Sequence, residues 1–201
     1  MAGKRRMGPE SAATRTVLMD AVEAVMREDG YAALSARNIA RRAGLKYQII
    51  FYYFETINDL LLDTYKRRTG RVLERIENAL QSDQPLHAFW AAWSDPDDAA
   101  LTFEYLAMAS HNSFIRAETI AFGERVRKVE LGRLASRLRQ TPLDQAAFTP
   151  FGITMALESI GAILGFEAAL GIAGGHQETK TMVEWCLRYL EPNNAVPSNP
   201  S

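Results

Sequence analysis

Apolar residues recur at helical spacing along nearly the whole chain. In the first such segment, residues 14–29, they mark one face at intervals of one, three and four: Val17, Leu18, Ala21, Val22, Val25 and Met26. No segment alternates apolar and polar residues in the manner of a half-buried strand, and no hairpin turn separates two such runs. The pattern therefore predicts an all-α protein.

Turn and cap residues divide the next segment into short elements. Ser35 is a good N-cap residue for a second helix, because its hydroxyl oxygen accepts from a free backbone N–H of the first turn. Gly44 permits a sharp turn before a third helix over residues 46–52. Thr56 and Asp59 have the spacing of a capping box and predict the start of a long fourth helix. Two short helices joined by a glycine-containing turn are typical of the helix-turn-helix, which places its second helix in the major groove of DNA.

The rest of the chain predicts longer helices and a second, larger helical domain. The expected helices are residues 85–93, 97–115, 118–140, 150–172 and 177–190, with breaks at Asp95-Pro96 and Thr141-Pro142. We expect a three-helix N-terminal domain over residues 1–55, a helical domain over 56–191, a flexible arm over 1–11 and a flexible tail over 192–201. Residues 148–173 are the most apolar stretch, but proline and two glutamates interrupt it. We therefore expect this stretch to be buried rather than to span a membrane.

Composition and charge indicate a folded globular protein with a basic N-terminal part. Apolar residues make up 47% and charged residues 23% of the 201 residues, and the net charge is -1. Residues 1–70 nevertheless carry 12 Lys and Arg against 8 Asp and Glu, whereas residues 71–201 carry 11 against 16. A basic excess confined to one part of the chain is expected where only that part approaches phosphates.

Cysteine and histidine usage argues against disulfides, metals and cofactors. Cys186 is the only cysteine, and the three histidines are far apart with no ligand-spaced pair. No glycine-rich phosphate loop, nucleophile elbow or metal motif suggests an enzyme. We expect no cofactor and no catalysis. A cytoplasmic location is expected because no apolar signal-peptide core follows the basic residues near the N-terminus.

The residues around the predicted helix-turn-helix also carry a family signature. It consists of Gly30-Tyr31, the run SARNIARRAGL over residues 35–45, the run IFYYF over residues 50–54 and DLL over residues 59–61. This signature covers about residues 14–65 and resembles that of the TetR family of transcription regulators. The resemblance implies a homodimer whose two third helices read the halves of a palindromic DNA operator, most often as a repressor. It also implies a small-molecule effector in the C-terminal domain that changes the separation of those helices.

Matching this chain to the signature gives candidate contacts to DNA phosphates and bases. Arg37 stands at the family's basic position near the start of the second helix, where we expect a phosphate contact. Lys46, Tyr47 and Gln48 open the third helix and are candidates for base edges. Gln suits adenine and Lys suits guanine in the major groove.

Further contacts to the DNA backbone are expected from phenols and basic groups. The hydroxyls of Tyr52 and Tyr53 are candidates for phosphate contacts, which position a protein without reading sequence. Arg41 and Arg42 form either additional DNA contacts or an ordinary solvated face. The basic run Lys4-Arg5-Arg6 is a candidate for an arm that enters the minor groove.

The sequence departs from the family pattern at Lys46, Gln48, Phe51 and Ile57. Phe51 and Ile57 replace a usual tyrosine and lysine and so remove two groups that would bind phosphates. We favour a core position for Phe51 and Phe54 and a surface position for Tyr52. The missing groups leave a second class of function open, namely a helical ligand-binding or scaffolding dimer with degenerate operator binding.

The predicted helix over residues 97–115 is apolar on more than one side and is therefore expected to be internal. Polar groups within such a helix need partners, which are other side chains, water or a ligand. With nearby aromatic residues they form the candidate effector pocket: Trp90, Trp93, Phe103, Glu104, Met108, His111 and Asn112. We expect a largely apolar effector.

The last two predicted helices combine small residues, which allow close approach, with larger apolar ones. The pair resembles the dimer-forming bundle of the family, to which each subunit contributes two helices. The candidate interface residues are Gly161, Gly165, Ala169, Met182, Trp185 and Leu190. The alternative is that they form core within one chain.

Overall fold

The computed structural model of the protein describes residues 9–139, 143–144 and 146–191. The described residues form nine α-helices and one short 3-10 helix, and none of them lies in a strand, which confirms the all-α prediction. The helices are α1 Pro9–Asp29, α2 Ala36–Arg42, α3 Gln48–Tyr53, α4 Ile57–Ala79, α5 Pro85–Trp93, α6 Pro96–His111, α7 Ser113–Leu138, α8 Pro150–Ala169 and α9 His176–Leu190, with the 3-10 helix Tyr31–Ala33 after α1. The basic run Lys4-Arg5-Arg6, the Thr141-Pro142 break and the predicted tail lie outside the described residues.

Side-chain caps begin the helices where the sequence predicts them. The Ser35 hydroxyl oxygen accepts from the backbone N–H of Asn38 at 3.2 Å and caps α2. At the start of α4, the Thr56 hydroxyl oxygen accepts from Asp59 N at 3.2 Å, and an Asp59 carboxylate oxygen accepts from Thr56 N at 2.9 Å. This reciprocal pair is the predicted capping box, and it satisfies two backbone donors that no helical carbonyl reaches.

The break between two predicted helices lies earlier in the structure than expected. The segment expected over residues 97–115 ends at His111, and α7 begins at Ser113 rather than near residue 118. The break is at Asn112, whose side-chain oxygen accepts from Phe114 N at 3.0 Å and from Ile115 N at 3.2 Å. The apolar period continues across the break because both helices bury residues on either side of it, so periodicity alone placed the break a few residues too late.

The chain divides into two compact units that do not follow the predicted boundary after residue 55. The first unit contains the described residues up to Val72 together with Ala100–Gly123. Its core is formed by fully buried apolar side chains of α1, α2, α3, α4, α6 and α7: Leu18, Val22, Ile39, Ile50, Leu60, Leu101 and Ile115. The predicted domains remain a functional expectation, since compactness alone does not test them.

The second unit contains Leu73–Ala99 and the described residues from 124 to 191, with α5 packed on α8. A Cβ atom added to Gly165 would lie 2.6 Å from the Cβ atom of Ala99, so only glycine allows this approach. The buried carboxylate of Glu191 accepts from Leu86 N at 2.9 Å and from His87 N at 3.2 Å. Glu191, directly after α9, is thereby tied to the start of α5.

Helix α8 is long and apolar enough to cross a membrane by length and composition alone, and it is the one such helix among the described residues. A core helix of a soluble protein passes the same test, so this is weak evidence. Only 28% of its apolar window is buried in the described part of the chain, so most of the stretch expected to be buried is not covered within a single copy. One face of α8 packs on α5, whereas Phe151, Ile163 and Leu170 are exposed.

Candidate nucleic-acid interface

Helices α2 and α3 form a helix-turn-helix whose turn depends on Gly44. The φ angle of Gly44 is +67°, which is the left-handed region that favours glycine. Directly after it, Leu45 N donates to the carbonyl oxygen of Ala40 at 2.9 Å and closes the turn. Ile39 of α2 and Ile50 of α3 are fully buried in the core of the first unit. The two helices are therefore fixed by their inner faces.

The outer face of α3 and its N-cap residue is exposed, aromatic and uncharged. It consists of Tyr47, Gln48, Phe51 and Tyr52. Phe51 is 50% exposed, so its expected core position is wrong, whereas the exposed Tyr52 and the buried Phe54 are as expected. A six-residue helix needs only one pair of buried positions per turn, and Ile49 and Ile50 with Tyr53 and Phe54 supply them.

The candidate base and phosphate contacts of the turn region lie at the surface. Arg37, Arg41, Arg42 and Lys46 are all exposed. Lys46 precedes α3 instead of opening it, because the helix begins at Gln48. Arg42 donates to Glu28 at 2.8 Å, and this hydrogen bond raises the pKa of Arg42. Arg42 is thus engaged by a carboxylate that DNA phosphates would have to replace.

Tyr53 is set apart from the other phenols by its contacts. It is partly buried, and its ring meets the ring of Tyr52 edge-on with centroids 4.9 Å apart. Its carbonyl oxygen accepts from Arg15 at 2.6 Å. Arg15 also forms an ion pair with Asp63 and lies 4.0 Å above the Phe54 ring. Arg15 therefore joins α1, α3 and α4, a role that no local sequence signal indicates.

A second set of contacts between α1 and α4 centres on a buried carboxylate. Glu23 is 6% exposed and accepts from Arg67 at 3.3 Å and from Arg71 at 2.8 Å. Arg67 also pairs with the exposed Asp20 at 2.7 Å. A buried charge is stable only when it is paired and hydrogen-bonded, so this cluster constrains how α1 lies on α4. No local sequence pattern indicates the pairing of these residues.

The candidate effector residues are divided between the two compact units. Phe103, Glu104, Met108, His111 and Asn112 belong to the first unit, whereas Trp90 and Trp93 belong to the second. Their polar groups were the reason for predicting a ligand, and two of them have partners within the chain. Glu104 accepts from Tyr31 N at 2.7 Å, and Asn112 caps α7.

The remaining polar groups of this set differ in burial. His111 is exposed, whereas the indole N–H of Trp93 is buried and has no hydrogen-bond partner in the described part of the chain. In the first unit, the buried hydroxyl of Tyr105 likewise has no partner among the described residues. Burial raises the pKa of the Tyr105 phenol. Neither absence of a partner was predictable from sequence, because it depends on residues distant along the chain.

An apolar groove lies between α8 and α9 in the second unit. Its volume is about 650 Å³, and it includes three candidate interface residues, Met182, Trp185 and Leu190. Gly161 and Gly165 are buried instead and face Trp93 and Ala99 of the same chain. Their close packing is therefore made within the chain, which was the alternative expectation. Ala169 is exposed at the end of α8.

The segment that contains the helix-turn-helix and its supporting helices matches a known protein family. Residues 18–64 match the family described as bacterial regulatory proteins, tetR family. Over these residues the chain is similar to regulators of the TetR family. The matched family consists of regulatory proteins, which agrees with the prediction of a non-enzymatic protein.

The similarity to a TetR-type relative is confined to the same region. The fatty acid metabolism regulator protein of Bacillus subtilis (strain 168) is 31% identical over 64 residues, which are 32% of this chain and 33% of that protein. The match thus spans about a third of the length of this relative. It supports the family but leaves the C-terminal part of the chain without a sequence match to this regulator.

Solved structures of regulators extend the similarity to most of the fold. A transcriptional regulator from Saccharomonospora viridis in complex with choline has a TM-score of 0.71 and 16% identity, with 86% of this chain and 96% of that chain covered. The regulator FadR from Bacillus subtilis in complex with stearoyl-CoA has a TM-score of 0.60 and 17% identity, with 88% and 97% covered. At these identities the likeness shows a shared fold.

Proposed function

We propose that the chain is a homodimeric transcriptional repressor that binds a near-palindromic operator through α2 and α3 and is released by a small molecule. The exposed outer face of α3 carries this proposal, because it offers hydrogen-bonding groups at the surface of a family-matched helix-turn-helix. Arg37 and Lys46, exposed beside it, supply positive charge for the flanking phosphates. The protein acts in the cytoplasm, where an operator is accessible.

A dimer is required because one six-residue helix contacts too few base pairs for specific binding. The α8–α9 groove and its exposed rim support pairing with a second copy through a four-helix bundle. The two α3 helices then lie on one side of the DNA, separated by about one helical turn, roughly 34–36 Å. A small change in that separation prevents both from docking.

A small-molecule effector is supported by the two ligand-bound regulators that share the fold. One holds choline and the other stearoyl-CoA, so the fold accommodates ligands of different chemistry. In this chain, the buried indole N–H of Trp93 supports a ligand with a hydrogen-bond acceptor and an otherwise apolar surface.

Operator binding is tested by selecting fragments of the source genome with the purified protein. We expect a palindromic fragment whose affinity falls steeply with salt, because each phosphate contact releases counterions. Arg37→Ala should reduce the salt slope by about one contact, whereas Arg188→Ala, an exposed arginine of α9, should leave it unchanged. Failure to select any fragment at moderate salt would refute the proposal.

Release is tested by screening metabolites against the bound operator. Trp93→Phe keeps a ring but removes the N–H donor, so we expect intact operator binding and about a fivefold higher concentration for half-release, as for one lost hydrogen bond. If Trp93→Phe responds like the parent to every releasing compound, Trp93 is not a ligand contact.

A dimer with degenerate operator binding is the second candidate function. It is favoured by Ile57, which packs against the core of the first unit and offers no group for a phosphate. If the parent binds no operator but the double variant Phe51→Tyr, Ile57→Lys gains binding, this second function replaces the first.

A further inference from the structure

Phe51 is an exposed apolar side chain on the surface that the proposed function directs toward DNA. It is 50% exposed at the centre of the outer face of α3, with Tyr47 one turn before it and Tyr52 beside it. Burial in the core does not account for this residue, because Ile50 and Phe54 occupy the inner face. An exposed phenyl ring on a short helix costs solvation free energy unless a partner covers it.

The major groove contains one apolar group that such a ring can cover. Among the four bases, only thymine presents a methyl group there, and the rest of the groove edge consists of hydrogen-bond donors and acceptors. A phenyl ring has neither donor nor acceptor, so it contributes affinity only where it removes apolar surface from water. Phe51 can therefore distinguish thymine from the other bases by contact with its methyl group.

Gln48 indicates which base lies next to this contact. It is exposed and three residues before Phe51, so the two side chains are neighbours on one face, with Cβ atoms about 5–6 Å apart. Successive base pairs are separated by about 3.4 Å along the DNA axis. Two side chains at this spacing reach adjacent base pairs, and the carboxamide of Gln48 suits adenine.

We infer that Phe51 is a specificity-determining residue that reads a thymine methyl group, next to an adenine read by Gln48. Each operator half-site then contains adjacent A·T pairs beneath α3. The inference rests on the proposed function, because it assumes that α3 enters the major groove. It adds a chemical basis for the sequence that the protein selects.

The test replaces thymine by deoxyuridine, which removes only the methyl group. In the selected duplex, each thymine of one half-site is replaced in turn, and the dissociation constant is measured by fluorescence anisotropy at fixed salt. For the parent protein we expect one position at which the replacement weakens binding about fourfold, the value for one buried methyl group. Phe51→Ala should bind the unmodified duplex more weakly and be insensitive to the replacement at that position.

Tyr52→Ala is the matched control, since Tyr52 is an exposed aromatic residue of α3, 60% exposed against 50% for Phe51. It should retain the fourfold sensitivity to deoxyuridine. Gln48→Ala should retain it too, while losing discrimination at the adjacent adenine. Circular dichroism and thermal unfolding check that each variant is folded.

Two results would overturn the inference while leaving the proposed function intact. In the first, the protein binds its operator but no thymine is sensitive to replacement. In the second, Phe51→Ala remains as sensitive as the parent at the same position. If no operator is selected at all, the proposed function and the inference fail together.

Discussion

The charge of a single partly buried carboxyl group changes how the stability of this protein depends on pH. This group belongs to Glu158 of α8. Burial raises the pKa of its carboxyl group, and the positive charge of Arg127 opposes this only in part. The unfolded chain releases the proton near the ordinary carboxyl pKa, whereas the folded chain keeps it to higher pH. Between those two pKa values the folded state binds more protons, so stability falls as pH rises.

Glu158→Gln should remove this pH dependence. The amide is neutral at every pH, so we expect the variant to be more stable than the parent at neutral pH and to match it more closely below the ordinary carboxyl pKa. Urea unfolding across the acidic to neutral range measures both values. Glu124→Gln, an exposed position on α7, is the control and should follow the parent. An equal gain at acidic and neutral pH would contradict the role of burial.

The charge of Glu23 should stabilise the folded protein, unlike that of Glu158, because arginine side chains pair with it. Glu23→Ala leaves Arg67 and Arg71 without a carboxylate that they both contact, and we expect a loss of about 2–3 kcal/mol in unfolding free energy. Asp20→Ala removes another partner of Arg67, but the Asp20 side chain is 61% exposed, so the loss should stay below about 1 kcal/mol. Similar losses in chemical denaturation would show that burial of Glu23 contributes nothing.

At the scale of helices, the residues that cap helix ends define the elements as much as the buried faces do. Asn112 begins α7 by accepting from two backbone N–H groups, and its side-chain N–H donates to Asn58 at 3.1 Å. One side chain thus separates α6 from α7 and links their junction to α4.

Asn112→Ala should destabilise the protein by about 1 kcal/mol, the usual value for the loss of an N-cap. Asn112→Asp keeps the acceptor oxygens and should restore most of that stability. Thermal unfolding of the three proteins measures the order. If Asn112→Asp is as unstable as Asn112→Ala, the contact with Asn58, and not the cap, stabilises the protein.

The helix ends also show which features are predictable from sequence. Ser35 and the Thr56-Asp59 pair were predictable because each cap acts within four residues of itself. Asn112 was not, since the apolar period on both sides outweighed a single polar residue. Phe51 was placed in the core because six residues are too few to define which face is inside.

Contacts distant along the chain were beyond any local pattern. Glu23 is 44 residues from Arg67, and Arg15 is 48 residues from Asp63. Their sequence neighbours give no sign of the pairing. For the same reason, nearness in sequence did not show that Trp93 and Glu104 belong to different units.

For the molecule as a whole, the exposed apolar surface of the second unit indicates association. Met182, Trp185 and Tyr189 are exposed along α9, beside the α8–α9 groove. Exposed apolar residues clustered in this way are typical of protein interfaces.

Trp185→Asp should therefore convert the proposed dimer into a monomer at micromolar concentration, because it places a charge in the proposed apolar interface. Phe114→Asp is the matched control: Phe114 is 59% exposed, close to the 63% of Trp185, but it lies in the first unit. Sedimentation equilibrium gives the mass of each variant. If Trp185→Asp remains a dimer, or the parent is a monomer, the groove is not the interface.

Trp185 also gives the protein an internal optical probe. The chain has three tryptophans, of which Trp90 is buried, whereas the ring of Trp185 lies at the surface and stacks on Tyr189 with centroids 6.2 Å apart. Indole fluorescence moves to longer wavelength in water. Diluting the protein should therefore shift its emission to the red as the two copies of the proposed dimer separate, so the strength of association can be followed without a label.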